Sequence, residues 1–139
     1  MGSQKISTGG CLIVDDKVLV VRRSPKESFL TGWFELPGGG IEFGESPQDA
    51  VIREFFEETN IRVSIVDIIR VFSYVSDDNS KHTVEIVFLV KALSNVSDIR
   101  LSEEHDDFRW ISLDELNNLK ISEEIKKNIL AGFERTKKS

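Results

Sequence analysis

Gly39–Ile61 reads GGIEFGESPQDAVIREFFEETNI, and its second half carries the marks of a helix. Ser46 suits the N-cap, Pro47 the first helical position, and Asp49 stands three residues after the cap. At about 100° per residue, Arg53, Glu54, Glu57 and Glu58 fall on one arc. Val51, Ile52, Phe55 and Phe56 fill the arc beside it, with Val51 at the border next to Glu58. One face is thus predicted to enter a core while the other gathers three carboxylates. Small Ala50 lies amid the acidic arc and is expected to leave room for an approaching group.

Three carboxylates on little more than one turn repel one another by a few tenths of a kcal/mol per pair. Arg53 can offset part of this by pairing with Glu57 at i,i+4. A cluster of this kind suggests a counter-ion, and carboxylates that share an ion with waters and phosphate oxygens suit Mg²⁺. The competing reading is a solvated acidic face. The flanks weigh against it. Leu36-Pro37-Gly38-Gly39-Gly40 precedes the helix, and three glycines let backbone approach a ligand closely.

With these flanks the chain resembles the Nudix hydrolase family. The family box reads Gly, five residues, Glu, seven residues, then Arg-Glu-apolar-any-Glu-Glu-any-Gly-apolar. Gly39, Glu45, Arg53, Glu54, Phe55, Glu57, Glu58 and Ile61 match it at the required spacing. The single departure is Asn60, where the box has Gly. That position lies just past the helix, where a left-handed residue is common and Asn ranks after Gly.

The resemblance implies an α/β fold, an α/β/α sandwich with a central mixed sheet. It also implies hydrolysis of a pyrophosphate bond in a nucleoside diphosphate linked to a further group. Glu57 and Glu58 are then expected to be direct metal ligands, and Glu54 a ligand or the base that takes a proton from water. The carbonyl of Gly38 is expected in the metal shell, and Gly39 beside the substrate. Arg53 is expected to orient the glutamates, and Glu45 to act structurally. MutT-like members carry one more glutamate on a loop; Glu104, six residues before Trp110, is the choice here, with Glu103 its competitor. His105 could approach the site, although a lone histidine in a loop is more often a bystander than a base. Mg²⁺ is the expected cofactor and Mn²⁺ the alternative ion.

Phosphate could be met by Arg22, Arg23 or Lys26. Alternation along a strand sends Arg22 and Arg23 to opposite faces, and Arg22 is preferred for the site. Phe34, Phe72, Tyr74 and Phe88 are candidates to stack on a base or line its pocket, against the alternative that each is core.

At 139 residues the chain is expected to form a single domain, residues 1–139. A net charge of −6 argues against general affinity for nucleic acid. An acidic protein acting on a polyphosphate needs a bridging cation. Cys11 is the only cysteine, which rules out an internal disulfide and reads as a buried small hydrophobe. The apolar run Cys11–Val21 is broken by Asp15-Asp16-Lys17, so neither a leader nor a membrane span is expected and the cytoplasm is the default. The expected partner is a small-molecule nucleotide, with no nucleic acid and no membrane. A homodimer stays open.

Outside the box, Gly9–Val14 and Lys17–Arg22 read as strands around an Asp15-Asp16 turn. Ser24–Gly32 is a loop able to border a site, and Trp33–Leu36 a short extended segment. Arg62–Val75 and Lys81–Ala92 are predicted to form a long hairpin in the sheet core. Phe108–Ile111 is a further strand, Leu113–Leu119 a short helix capped by Ser112, and Ser122 opens a last helix to about Phe133. The basic tail from Arg135 is expected to fray.

The box encodes diphosphate chemistry and leaves the attached group open. A nucleoside triphosphate or similar nucleotide is preferred. ADP-ribose, a nucleotide sugar or a dinucleoside polyphosphate are alternatives. A catalytically silent nucleotide-sensing or protein-binding domain is the reading from another class, disfavoured because every box glutamate is present.

Overall fold

Asp15 and Asp16 both adopt left-handed φ values, 52° and 63°. This primed geometry matches the twist of a two-residue hairpin. The turn joins β1 (Ser3–Val14) to β2 (Lys17–Arg23). The computed structural model describes residues 2–27 and 30–138. Met1, Ser139, and Ser28 and Phe29 of the expected Ser24–Gly32 loop lie outside them. The chain continues through β3 (Phe34–Glu35), β4 (Gly38–Gly40), α1 (Pro47–Thr59), β5 (Val63–Val75), β6 (Lys81–Ala92), β7 (His105–Ile111) and α2 (Glu123–Lys137).

The sheet is mixed, and β1 forks it. One edge of β1 runs parallel to β6 from Ser3 to Leu12. Its other edge pairs antiparallel with β4 at Ser7–Gly9 and with β2 at Ile13–Val14. Beyond β6 lies β5, antiparallel; β2 carries β3 and β7, both antiparallel. The two parts of the sheet thus share β1 as their common strand.

Successive strand residues alternate faces. Cys11, Val18, Val20, Val87 and Leu89 pack with Ile129 and Phe133 of α2. Leu12, Leu19, Phe88 and Val90 pack with Val51 and Phe55 of α1. The helices therefore cover opposite faces, which is the expected α/β/α sandwich. Two glycines allow the close approach. A Cβ at Gly10 would stand 2.7 Å from the Phe55 ring, and one at Gly132 would overlap the Cys11 sulfur. Cys11 is fully buried, and burial pushes its thiol up to about 12, as befits a packing residue.

Several expectations need correcting. The β5–β6 hairpin forms, but β5 is the sheet's edge, with Ile68, Val71 and Val75 exposed. β7 begins at His105, because pairing with β2 extends it past the apolar run. Leu113–Asn118 is a 3₁₀ turn in which Glu115 accepts from the Ser112 backbone N–H and hydroxyl. Helix α2 continues to Lys137, where Arg135 bonds Asp67 of β5 at 2.9 Å instead of fraying.

Candidate active site

Helix α1 is fixed at both ends. Ser46 Oγ accepts from the Asp49 N–H at 3.1 Å, and Asn60, at φ 68°, donates its N–H to Phe56 O at 2.8 Å. The Asn60 side chain adds a bond that glycine would lack, from Nδ2 to Asp98 O at 3.1 Å.

The acidic arc is organised by Arg53. Its Nε and Nη2 reach Glu45 at 2.8 and 3.0 Å, and its Nη1 reaches Glu54 at 3.0 Å and Glu57 at 2.8 Å. Nη2 also donates to Gly40 O at 3.2 Å, tying the helix to β4. The bonds from Arg53 hold the Glu45 carboxyl below its usual range. Glu54 lies against β4 so tightly that a Cβ at Gly39 would sit 2.7 Å from its carboxyl. Glu57 stays at the solvent edge. Ala50, expected to leave an opening, is fully buried.

Glu58 departs most from a wet surface. It is 2% exposed, and its Oε1 accepts from the Gly38 N–H at 3.2 Å. Burial first, and then Glu54, push its carboxyl far above the ordinary carboxylate range. Beside it stands His105, equally buried, with Nδ1 at 3.8 Å from Glu58 Oε1 and Nε2 at 2.8 Å from Glu35 Oε2. Glu35 also binds Arg23 at 3.3 Å. Burial and the charge of Glu54 raise the carboxyl of Glu104 as well.

Of the loop acids, Glu104 joins the site and Glu103 turns to Lys26, 3.6 Å away. Arg22, preferred above as the site arginine, bonds Asp106 at 2.7 Å, while Arg23 is the one that meets Glu35. The register shift opposite these two arginines makes Asp106 the extra residue, in β7. Phe34 has its ring in the α2-side core, with Arg109 over it at 5.5 Å, and Phe88 lies in the α1-side core. Neither is free to meet a base. Phe72 packs partly against the α2-side core, and Tyr74 is half exposed. His105 carries no local signal for a site role; its register opposite Arg23 brings it to Glu58.

A divalent cation suits this donor set. Glu58 Oε2 and His105 Nδ1 are buried without a hydrogen-bond partner. Glu58, Glu104 and His105 offer ligand atoms within 4.8 Å of one another. The carboxylate oxygens suit Mg²⁺ or Mn²⁺, while an imidazole ligand leans towards a transition ion. A histidine whose second nitrogen is held by a carboxylate is the usual metal-binding arrangement. Two hollows on the surface, between the 3₁₀ turn and α2 and around Asn60, touch none of these groups.

The family model described as NUDIX domain matches residues 4–133. An ADP-ribose pyrophosphatase of Methanocaldococcus jannaschii is 31% identical over 82% of this chain, which spans 63% of that protein's length. The nucleoside triphosphatase NudI of Enterobacter sp. (strain 638) is 30% identical, over 76% of this chain and 79% of its own. A crystal structure of a MutT protein from Methanosarcina mazei superposes with a TM-score of 0.82 at 26% identity, covering 99% of this chain and 98% of the other.

Proposed function

Because the chain belongs to the NUDIX domain family, we propose that it hydrolyses a phosphoanhydride bond in a nucleotide, with Mg²⁺ as the preferred cofactor and Mn²⁺ as the substitute. The observation that carries this reading is the buried carboxyl of Glu58, whose free oxygen faces Glu104 and His105. An uncompensated acid in that position is costly, and a cation removes the cost.

Glu58, Glu104 and His105 would hold the ion, joined by Glu54, Glu57 and the Gly38 carbonyl as the acidic arc closes on it. A divalent ion there supplies positive charge to the phosphoryl oxygens and lowers the pKa of a bound water. Glu54, held by Arg53 and set against Gly39, is placed to take a proton from the attacking water. Arg53 keeps three carboxylates in register and does not itself touch substrate. Arg23, at the rim beside Glu35, is the basic group closest to the phosphates in this reading. Phosphoryl transfer asks little covalent chemistry of a protein, so positioned charge is what the site must provide.

The preferred substrate is a nucleoside triphosphate, as in the Enterobacter relative's name; the Methanocaldococcus relative's name favours ADP-ribose as the second reading. Incubating the protein with nucleoside triphosphates, ADP-ribose, nucleotide sugars and dinucleoside polyphosphates, with and without Mg²⁺, tests both. Metal-dependent release of pyrophosphate or a monophosphate is expected, abolished in Glu58→Gln. Turnover that ignores metal and both Glu57→Gln and Glu58→Gln would remove the assignment.

A further inference from the structure

On the α2 face of the sheet, α2 covers only one end. Its N-terminal turn reaches β5 at Arg70, which bonds Asn128 at 2.8 Å and Glu124 at 2.7 Å. Past Arg70 the strands carry two aligned rows, in which Phe72 still packs against the α2-side core and Tyr74 is half exposed. The first is Ser7–Glu85–Phe72 and the second Lys5–Thr83–Tyr74, across β1, β6 and β5. Residues paired in register share a face. Ser7 also pairs with Gly40 of β4, so Glu85 lies two strand spacings, ~10 Å, from that strand. A series of neighbouring groups links the two places: Glu58 meets His105, His105 meets Glu35, and the charge of Glu35 acts on both Glu85 and Tyr74.

The walls of this surface differ in kind. Along β5, the Arg70 guanidinium lies 4.3 Å from the Phe72 centroid, and Phe72 stacks on Tyr74 at 6.2 Å and 28°. The ladder ends in Tyr74, whose ring is 49% exposed and offers a flat π surface. On the floor, Glu85 is a carboxyl without an ion-pair partner in contact among the described residues. Burial opposes its charge; Lys5 favours the carboxylate, Glu35 works against it, and the nearby Tyr74 and Ser7 hydroxyls favour it.

Resting on the nucleotide-hydrolase reading above, we propose that Glu85 is the residue that selects the nucleobase, accepting two hydrogen bonds from a guanine edge while the base stacks on Tyr74. A carboxylate only accepts. Guanine presents two adjacent donors, N1–H and the N2 amino group, and the other common bases do not. Adenine and cytosine put a ring acceptor beside their amino group, which a carboxylate repels. Two N–H donors arriving together supply what burial denies to this carboxyl.

The balance of forces holds the free carboxyl at about 7. Guanine binding needs the charged form, so affinity is expected to rise as pH climbs through 7, until the carboxyl is fully ionised.

Binding of GMP, AMP, CMP and UMP without metal, followed by calorimetry, tests the base site independently of catalysis. Wild type should prefer GMP by about tenfold or more, the scale of one bidentate contact. Glu85→Gln should abolish that preference and its pH dependence. Tyr74→Ala, at a half-exposed position that does not threaten folding, should weaken all four ligands alike. Tighter binding of AMP or CMP that fades as pH rises would mean the protonated acid is read, and overturns the guanine assignment. Equal binding of all four bases, or none, also overturns it. Selective GMP binding with no hydrolysis of any guanine nucleotide would instead sink the catalytic reading and leave the base site standing.

Discussion

His105 Nε2 lies 2.8 Å from Glu35 Oε2, and this contact turns the other ring nitrogen towards Glu58. If Nε2 carries the proton, Nδ1 keeps a lone pair for a cation. Glu35→Gln is therefore expected to raise the Mg²⁺ concentration for half-maximal activity by about 10–100-fold, the usual cost of losing such a support. A metal titration of both proteins checks this; an unchanged midpoint would separate His105 from the ion.

Glu58 gives a prediction with a definite sign. Its folded-state carboxyl is raised above the ordinary 4.5, chiefly by burial. The folded protein thus holds a proton that the unfolded chain has released, and metal-free stability must fall as pH rises above 4.5. At pH 8 without metal, Glu58→Gln should melt at a higher temperature than wild type. Added Mg²⁺ should raise the wild-type melting temperature, by about 2.7 kcal/mol of stability at a hundredfold excess over Kd, and do little for the variant. Scanning calorimetry at pH 5 and pH 8 measures both effects.

Arg53 bonds Glu45, Glu54, Glu57 and the Gly40 carbonyl at once. Lysine keeps the charge and loses the planar fork. Arg53→Lys should lower kcat by about 10²-fold, the scale of a displaced catalytic group, while KM moves little. A rise in KM with kcat intact would place Arg53 on the substrate instead.

At Asn60 the left-handed φ sets the outcome. Asn60→Gly relieves the backbone and loses the bond to Asp98, so stability should stay within about 0.5 kcal/mol of wild type. Asn60→Val should cost roughly 1–2 kcal/mol, because a branched side chain resists that conformation. Urea unfolding of the two variants distinguishes cap geometry from the Asp98 tether.

The α1 segment was legible in sequence because its determinants are local. Ser46, Asn60 and the apolar period of Val51 and Phe55 act within a few residues of one another, and all behave as read. Placement that depends on partners far along the chain was not legible. Ala50 and Glu58 share the polar arc by angle, yet β4 and His105 bury Glu58, a fact no helical projection contains. Nothing local to Arg22 announces its bond to Asp106, 84 residues away, which the pairing of β2 with β7 brings about. Phe34 carries no local mark that separates a core ring from a base-stacking one; the bridge to Ile121 and the cover of Arg109 decide it.

The fork in β1 has an evolutionary corollary. A single backbone carries Ser7 and Thr8 on consecutive residues, one beside Glu85 and the other bonded through its hydroxyl to Gly39 O at 3.2 Å. Any shift of that strand that reshapes the recognition floor drags the anvil under Glu54 with it. New appetites in this lineage should therefore arise by exchanging side chains at Glu85 and Tyr74, with the trunk of the sheet left untouched.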